Sequence, residues 1–203
     1  MSDVVGLTRD TYDVIADSYD SATRIPSEEF LEHQVAFAER VTGRLADLGC
    51  GPGRDLTRFG HLDVVGVDLS AGMLAIAKER GPVVQGDLRH PPLLDSSLDG
   101  IWSSASLLHV PRPDVPATLQ AWHGLLRPGG TLGLSTSLGE GEGWEKVPYE
   151  VPHEQRESDE RWFVHHDEDD LLALLREVGF TVERTTRRET HRNWLMVIAT
   201  AAG

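Results

Sequence analysis

The chain has very little cysteine, one residue in 203, and far more acid than base. Cys50 alone cannot form an internal disulfide and leaves no cysteine-based zinc site, so nothing in the sequence asks for an oxidising compartment. Nineteen Lys and Arg face thirty-three Asp and Glu, a formal net charge of −14. A surface this acidic repels phosphate backbones and anionic bilayers, which argues against nucleic acid or membrane as partner. Long apolar runs are also missing: the longest candidate, Trp194 to Ala202, is interrupted by Thr200 and falls short of the roughly 18–20 residues of a membrane span. The first ten residues have neither the basic nor the apolar region of a secretion signal. A cytoplasmic address is therefore expected, with nothing to indicate an assembly beyond monomer or homodimer.

What is present is alternation. Short apolar runs at Arg44 to Leu48, Asp63 to Asp68, Val83 to Gln85, Gly100 to Ser103, Thr131 to Ser135, Thr181 to Thr185 and Leu195 to Thr200 are each bounded by Gly, Pro or Asp. Helical windows lie between them at Ala71 to Arg80, Val115 to Leu126 and Glu168 to Val178. The last is capped by Asp167, has acids in its first turn and Gly179 after its end. An earlier window, Glu28 to Arg40, places Phe30, Leu31, Gln34, Val35 and Ala38 on its expected apolar face. Seven strands among helices predict an α/β fold, one doubly wound and mostly parallel sheet with helices on both faces. We expect a single domain, 1–203, with an N-terminal helical lid over 1–43, a core over 44–203, and an aperiodic loop or lid over 139–160.

The chemistry concentrates at strand ends. Asp47-Leu-Gly-Cys-Gly-Pro-Gly-Arg54 closes the first strand with glycines at 49, 51 and 53 before a helix begins near Arg54. Glycines let a backbone turn tightly against a ligand, and free N–H groups opening the helix would suit an anion. The spacing is G-x-G-x-G, unlike the G-x-G-x-x-G of a nicotinamide dinucleotide site. Asp68 ends the second strand and could accept from both hydroxyls of a ribose; Asp87 ends the third and could accept from an adenine amine.

The glycine turn, then Val64-Val-Gly-Val-Asp-Leu-Ser-Ala-Gly-Met-Leu74, then Gly86-Asp-Leu88, then Leu125-Leu-Arg-Pro-Gly-Gly-Thr-Leu132 resemble the successive motifs of class I S-adenosylmethionine-dependent methyltransferases. The match runs from Arg44 to Ser135 in order and spacing, and Val178 to Val182 with Trp194 to Ala199 resembles the family's closing hairpin. The resemblance implies a Rossmann-like, seven-stranded sheet whose last strand is antiparallel. It implies S-adenosylmethionine as cofactor and S-adenosylhomocysteine as product, bound by Asp47, Gly49, Cys50, Gly51, Arg54, Asp68, Leu69, Met73, Asp87, Leu88 and Ser104. Tyr12-Asp13 and Tyr19-Asp20, seven residues apart on one helix face, resemble a lid that brings Tyr19 to the cofactor and Tyr12 to the acceptor.

Each residue also has a plainer reading. Asp68 and Asp87 could cap turns, and Cys50 could be a small filler. His109, just past the fourth strand, could take a proton from an acceptor hydroxyl or amine, or could brace a loop. Trp144 and Trp162, with Phe163 and Trp194, could line an acceptor pocket or belong to the core. Arg161 and Arg192 could meet an anionic group, although solvated arginines are the plainer expectation. His165-His166 point to opposite faces of a strand, so no metal site is expected. The sequence thus predicts methyl transfer to oxygen or nitrogen of a small-molecule metabolite by in-line displacement, and seventeen arginines against two lysines suggest a high-GC bacterial source. The alternatives are a non-methylating protein that keeps the cofactor, a protein methyltransferase, and a nicotinamide-dependent oxidoreductase.

Overall fold

A computed structural model describes residues 3–23, 26–148, 150 and 159–203. Nine strands follow in chain order: β1 (Arg44–Leu48), β2 (Asp63–Asp68), β3 (Val83–Gln85), β4 (Leu98–Ser104), β5 (Leu126–Leu138), β6 (Glu142–Lys146), β7 (Glu160–Val164), β8 (Phe180–Glu189) and β9 (Asn193–Ala201). Six helices accompany them: α1 (Val4–Ala22), α2 (Glu28–Ala38), α3 (Arg54–Arg58), α4 (Ala71–Ala77), α5 (Val115–Leu125) and α6 (Glu168–Glu177). Seven strands form one sheet in the order β3-β2-β1-β4-β5-β9-β8. All neighbours up to β5 pair in parallel, whereas β9 is antiparallel to both β5 and β8. The expected sheet, with its last strand reversed, is present.

Strand β1 sits mid-sheet with Leu45, Ala46, Asp47 and Leu48 all buried, the continuous pattern of a strand covered on both faces. One face packs Leu119, Trp122 and Leu125 of α5 and Leu171 and Leu175 of α6 on Leu132, Leu134 and Val197. The other gathers Phe37, Phe59, Trp102 and Ile198. Side-chain oxygens cap four helices, Asp3 to Gly6 N–H, Ser27 to Phe30 N–H, Ser70 to Met73 N–H and Asp167 to Asp170 N–H. Gly179, at φ 103°, ends α6 in the left-handed region as its position implied.

Two expectations need correction. Helix α2 buries His33, Gln34 and Phe37, while Leu31 and Val35 are exposed at 38% and 57%. The helix is rotated from its most apolar stripe because Phe37 and His33 stack on Trp102, with ring centroids 5.0 and 5.7 Å apart. The stretch 139–160 is not wholly loop: Glu142–Lys146 forms β6 and pairs antiparallel with β7 in a second, two-stranded sheet. Residues 149 and 151–158 of that stretch lie outside the described residues.

Helix α1 is held between α4 and β7. The Asp13 carboxylate accepts from Ser70 Oγ (2.6 Å) and Gly72 N–H (2.8 Å), Thr11 Oγ1 donates to Glu160 O (2.6 Å), and Trp162 N–H donates to Thr8 Oγ1 (2.9 Å). Farther along, buried Asp20 takes Arg80 in two hydrogen bonds (2.8 and 2.9 Å) and Arg54 in a third (3.2 Å). The Arg80 hydrogen bonds, with Arg54, outweigh burial and hold the Asp20 carboxyl below the usual carboxylate range. The approach of α1 to α4 requires glycine at 72, where a Cβ would stand 2.6 Å from the Asp13 carbonyl oxygen and 2.8 Å from its Cα.

We therefore expect Gly72→Ala to lower stability by about 1–3 kcal/mol through overpacking against backbone. Gly124→Ala, in α5 with nothing within 4 Å of the added methyl, should be neutral or gain up to about 1 kcal/mol. Denaturant midpoints of the two variants check the contrast.

Candidate functional site

The C-terminal ends of β1, β2, β3 and β4 open on one cleft, roofed by α1 and the β6–β7 hairpin, the position where an open parallel sheet binds ligands. The cleft has two lobes, of about 100 Å³ and about 540 Å³, which share Tyr12, Tyr19, Gly49, Gly51, Ser104, Ala105 and His109. Asp68, Leu69, Met73, Asp87 and Leu88 line the smaller lobe; Asp47, Cys50 and Arg54 line the larger. The structure thus brings together every residue expected at a cofactor, from segments far apart in the chain.

The glycine turn is held from within the sheet. Its N–H groups are already used: Gly49 and Cys50 both donate to Val67 O (2.7 and 3.0 Å), Gly51 to Asp68 Oδ2 (2.7 Å) and Gly53 to Cys50 O (3.0 Å). Helix α3 is a mere five residues, too short to offer an anion a substantial dipole. What the turn supplies is room. Gly49, at φ 77°, lies so close to Ser106 that a Cβ would meet the Ser106 Cβ at 2.2 Å, whereas at Gly51 an added Cβ would enter open space bordering both lobes.

Asp68 braces this turn while remaining available. Its Oδ2 accepts from Gly51 and its Oδ1 from Ser70 N–H (2.9 Å), which leaves lone pairs on both oxygens. Burial raises its pKa, against the pull of those hydrogen bonds. Asp47 is buried with Oδ2 unpartnered among the described residues, and burial together with Asp55 and Asp68 pushes it well above the usual carboxylate range. A cationic group in the cleft would relieve both effects. Asp87 is engaged instead by Arg89, bidentate at 2.6–3.1 Å; burial opposes its charge, but the Arg89 hydrogen bonds prevail and its pKa is lowered. Burial drives the Cys50 thiol strongly upward, in keeping with a packing role.

Beyond β4 the chain passes through Ala105 at φ 54°, a strained left-handed residue whose N–H is tied to Ser135 O (2.8 Å). This turn delivers His109 to the junction of the lobes. His109 Nδ1 lies 2.6 Å from Trp162 O, which can only accept, so Nδ1 carries the proton. Burial, with the Arg161 charge, pulls the imidazole down to about 3, so it is neutral and Nε2 accepts from the Tyr12 hydroxyl at 2.8 Å. Arg161 Nη1 in turn donates to Tyr12 Oη (2.9 Å).

Strand parity sorts the aromatics. In β7, Arg161 and Phe163 are buried and line the larger lobe, while Trp162 turns away to stack on Trp144, its cross-strand partner, at 5.4 Å. Trp144 and Trp162 therefore do not line the cleft, although Trp162 reaches it through its carbonyl; Phe163 and Trp194 do line it. Arg161 is not solvated but 5% exposed, and Arg192 is half-buried over Phe163, 4.3 Å from the ring, and paired with Glu145. Arg89, Arg188 and Phe30 line the cleft without any local motif that would have flagged them. His165 bonds Ser137 Oγ and Glu145, while buried His166 points elsewhere.

Residues 45–130, which carry the glycine turn and both strand-end acids, match the family described as Methyltransferase domain. Over that stretch the chain is similar to the class I S-adenosylmethionine-dependent methyltransferases. Over 135 residues it is 38% identical to malonyl-[acyl-carrier protein] O-methyltransferase of Dechloromonas aromatica, covering 64% of this chain and 50% of that protein. Over 109 residues it is 37% identical to trans-aconitate 2-methyltransferase of Deinococcus radiodurans, covering 50% and 40%. The chain thus spans half or less of the length of these curated relatives. Its fold matches 1,6-didemethyltoxoflavin-N1-methyltransferase of Burkholderia thailandensis with a TM-score of 0.71 at 21% identity, over 98% of this chain and 88% of that one. No described helix is long and apolar enough to cross a membrane.

Three histidines of the chain give a pH signature. His33 and His166 are pulled down to about 4, and His109 to about 3, in each case chiefly by burial. Unfolded histidine, with a pKa of about 6.5, binds a proton that these folded sites refuse, so folded stability should fall as pH drops from about 6.5 toward 4. Unfolding midpoints across that range should show the loss, and His109→Gln should make the slope shallower.

Proposed function

We propose that the protein transfers the methyl group of S-adenosylmethionine to oxygen or nitrogen of a small-molecule acceptor by in-line displacement. The observation that carries this reading is one continuous cleft in which the Cβ-free Gly49–Gly51 turn and the carboxyls of Asp47, Asp68 and Asp87, each at or near the end of a parallel strand, meet a junction formed by Tyr12, Ser104 and His109. The relatives' names agree on methyl transfer and differ in acceptor: malonyl-[acyl-carrier protein], trans-aconitate and 1,6-didemethyltoxoflavin.

The residues fit the cofactor. The unpartnered Asp47 oxygen suits its ammonium, the open lone pairs of Asp68 suit its ribose diol, Leu69, Met73 and Leu88 give its adenine apolar contact, and the room at Gly51 suits the chain between. When bound, S-adenosylmethionine supplies an electrophilic methyl on a positively charged sulfur. Tyr12 and Tyr19, rings 5.7 Å apart on α1, close the cleft above and exclude water. The Tyr12 hydroxyl offers an acceptor a hydrogen-bonding partner, and for a hydroxyl or amine acceptor His109 Nε2 would receive the proton through it. Most of the acceleration comes from alignment, which can supply about 7–11 kcal/mol.

Incubation with methyl-labelled S-adenosylmethionine and a fractionated metabolite extract should put label in a small-molecule fraction. Asp68→Ala should abolish that transfer and weaken S-adenosylhomocysteine binding, read by calorimetry. Label confined to protein, or no affinity of the unaltered chain for S-adenosylhomocysteine, would overturn the reading.

A further inference from the structure

Arg89 borders the smaller lobe, and neither the glycine turn nor the strand-end acids account for it. Its Nε donates to both Asp87 oxygens (3.1 and 3.0 Å), its Nη2 to Asp87 Oδ2 (2.6 Å), and its backbone N–H to Asp87 Oδ1 (2.8 Å). Its Nη1 reaches the other way, to Asp114 Oδ2 at 3.0 Å, just ahead of α5. A second bond ties the same turn to the same helix, from Trp122 Nε1 to Leu88 O at 2.7 Å. The turn after β3 is thus anchored to α5 at two points, one of them a planar guanidinium fork that fixes direction as well as distance.

This clamp governs what Asp87 offers the lobe. A carboxylate has about four lone-pair sites, and three N–H donors of Arg89, one shared between the oxygens, leave room for one more donor in a fixed direction. Burial opposes the Asp87 charge and the Arg89 hydrogen bonds outweigh it, so the carboxyl stays ionised and cannot itself donate. Beside it, the Leu88 N–H makes no hydrogen bond among the described residues. The turn therefore presents one acceptor next to one donor, the complement of a ring that carries an amine beside an unprotonated nitrogen. A ring with a carbonyl beside an N–H meets like groups at both positions, and that mismatch costs more than a missing contact because polar groups are left unpaired.

We propose that Arg89 is the positioning residue for base selectivity in the smaller lobe: by holding the Asp87 carboxylate in one orientation, it makes the cleft accept a 6-aminopurine and refuse a 6-oxopurine. The inference rests on the reading of the cleft as an S-adenosylmethionine site and names a determinant of that site outside the glycine turn and the strand-end acids. Without Arg89 the Asp87 side chain is free to turn away or, with burial no longer opposed, to take a proton. A protonated carboxyl donates to a carbonyl as readily as a carboxylate accepts from an amine. Selectivity then falls although the apolar contacts of Leu69, Met73 and Leu88 remain.

The test compares, by calorimetry on the full chain, the affinities for S-adenosylhomocysteine and S-inosylhomocysteine, which differ only at position 6 of the base and the adjoining ring nitrogen. The unaltered chain should bind the adenosyl compound about a hundredfold more tightly, from two mismatched positions. In Arg89→Gln that ratio should fall by about tenfold or more. Asp114→Ala, which removes a side chain that makes no capping bond to α5, leaves Asp87 paired but frees the far side of the guanidinium, and should lower the ratio by less. A residue that merely braces the turn would weaken both ligands equally and leave the ratio as it was. Unfolding midpoints show which variants are folded. An unchanged ratio in folded Arg89→Gln, or in Asp114→Ala where Arg89→Gln does not fold, would overturn the assignment, as would a ratio near one in the unaltered chain. Failure of S-adenosylhomocysteine to bind at all would instead remove the cofactor reading beneath it, and this assignment with it.

Discussion

The Asp68 carboxylate at the end of β2 receives the backbone N–H of Gly51, in the turn that ends β1, across 2.7 Å, and the geometry of the cleft follows from that bond. It fixes how the glycine turn leaves the sheet, and the two N–H bonds from Gly49 and Cys50 to Val67 O lock the same turn from beneath. A hydrogen bond to a charged group contributes about 1.5–3 kcal/mol, and the half-buried Asp68 carboxylate receives two from backbone donors. The turn could not close with a side chain at 49, where Ser106 occupies the space. Ser106 in turn donates to Leu48 O and pairs with Ser103, so the ends of β1 and β4 are tied through the same point.

Above that floor, α1 forms a roof that ion pairs and a close backbone approach hold in place. Asp20 is the hub, accepting from Arg54 beside the glycine turn and Arg80 beyond α4. Both arginines also grip backbone carbonyls, Arg80 at Pro52 O and Arg54 at Tyr19 O and Asp20 O. A buried ion pair is weak support for stability by itself, yet here it sets the position of one element over another. The consequence is functional: Tyr12 and Tyr19 reach the junction of the lobes because α1 cannot slide. The cleft they cover carries the carboxyls of Asp47, Asp68 and Asp87 near the strand ends, and guanidiniums that include Arg161 of β7 and Arg188 of β8.

Local pattern made much of this visible. The glycine spacing, the acids ending β2 and following β3, and the alternation of strands with helices are short-range features, and each lies where its physics requires. Pattern failed where a longer-range contact decided. The N–H groups of Gly49, Cys50 and Gly51 are claimed by Val67 O and Asp68 of the neighbouring parallel strand, a pairing that no local spacing shows. The apolar stripe of α2 was expected to face inward, but stacking of His33 and Phe37 on Trp102 rotated the helix. Trp144 and Trp162 read as pocket aromatics until the β6–β7 pairing set their parity and turned them outward together.

The sequence by itself determined the sheet, its order of motifs and the acids and glycines at the strand ends, because these depend on residue type and on spacing along the chain. It also determined the strong negative charge and the single thiol. Only the tertiary structure decided that Arg161 is buried rather than solvated, that the proton on His109 sits on Nδ1, and that Arg188 borders the larger lobe. Those properties belong to side chains from β7, β8 and the turn after β4, which approach one another only after the sheet has closed around them, and the burial and charge that give each its character come from neighbours remote in sequence.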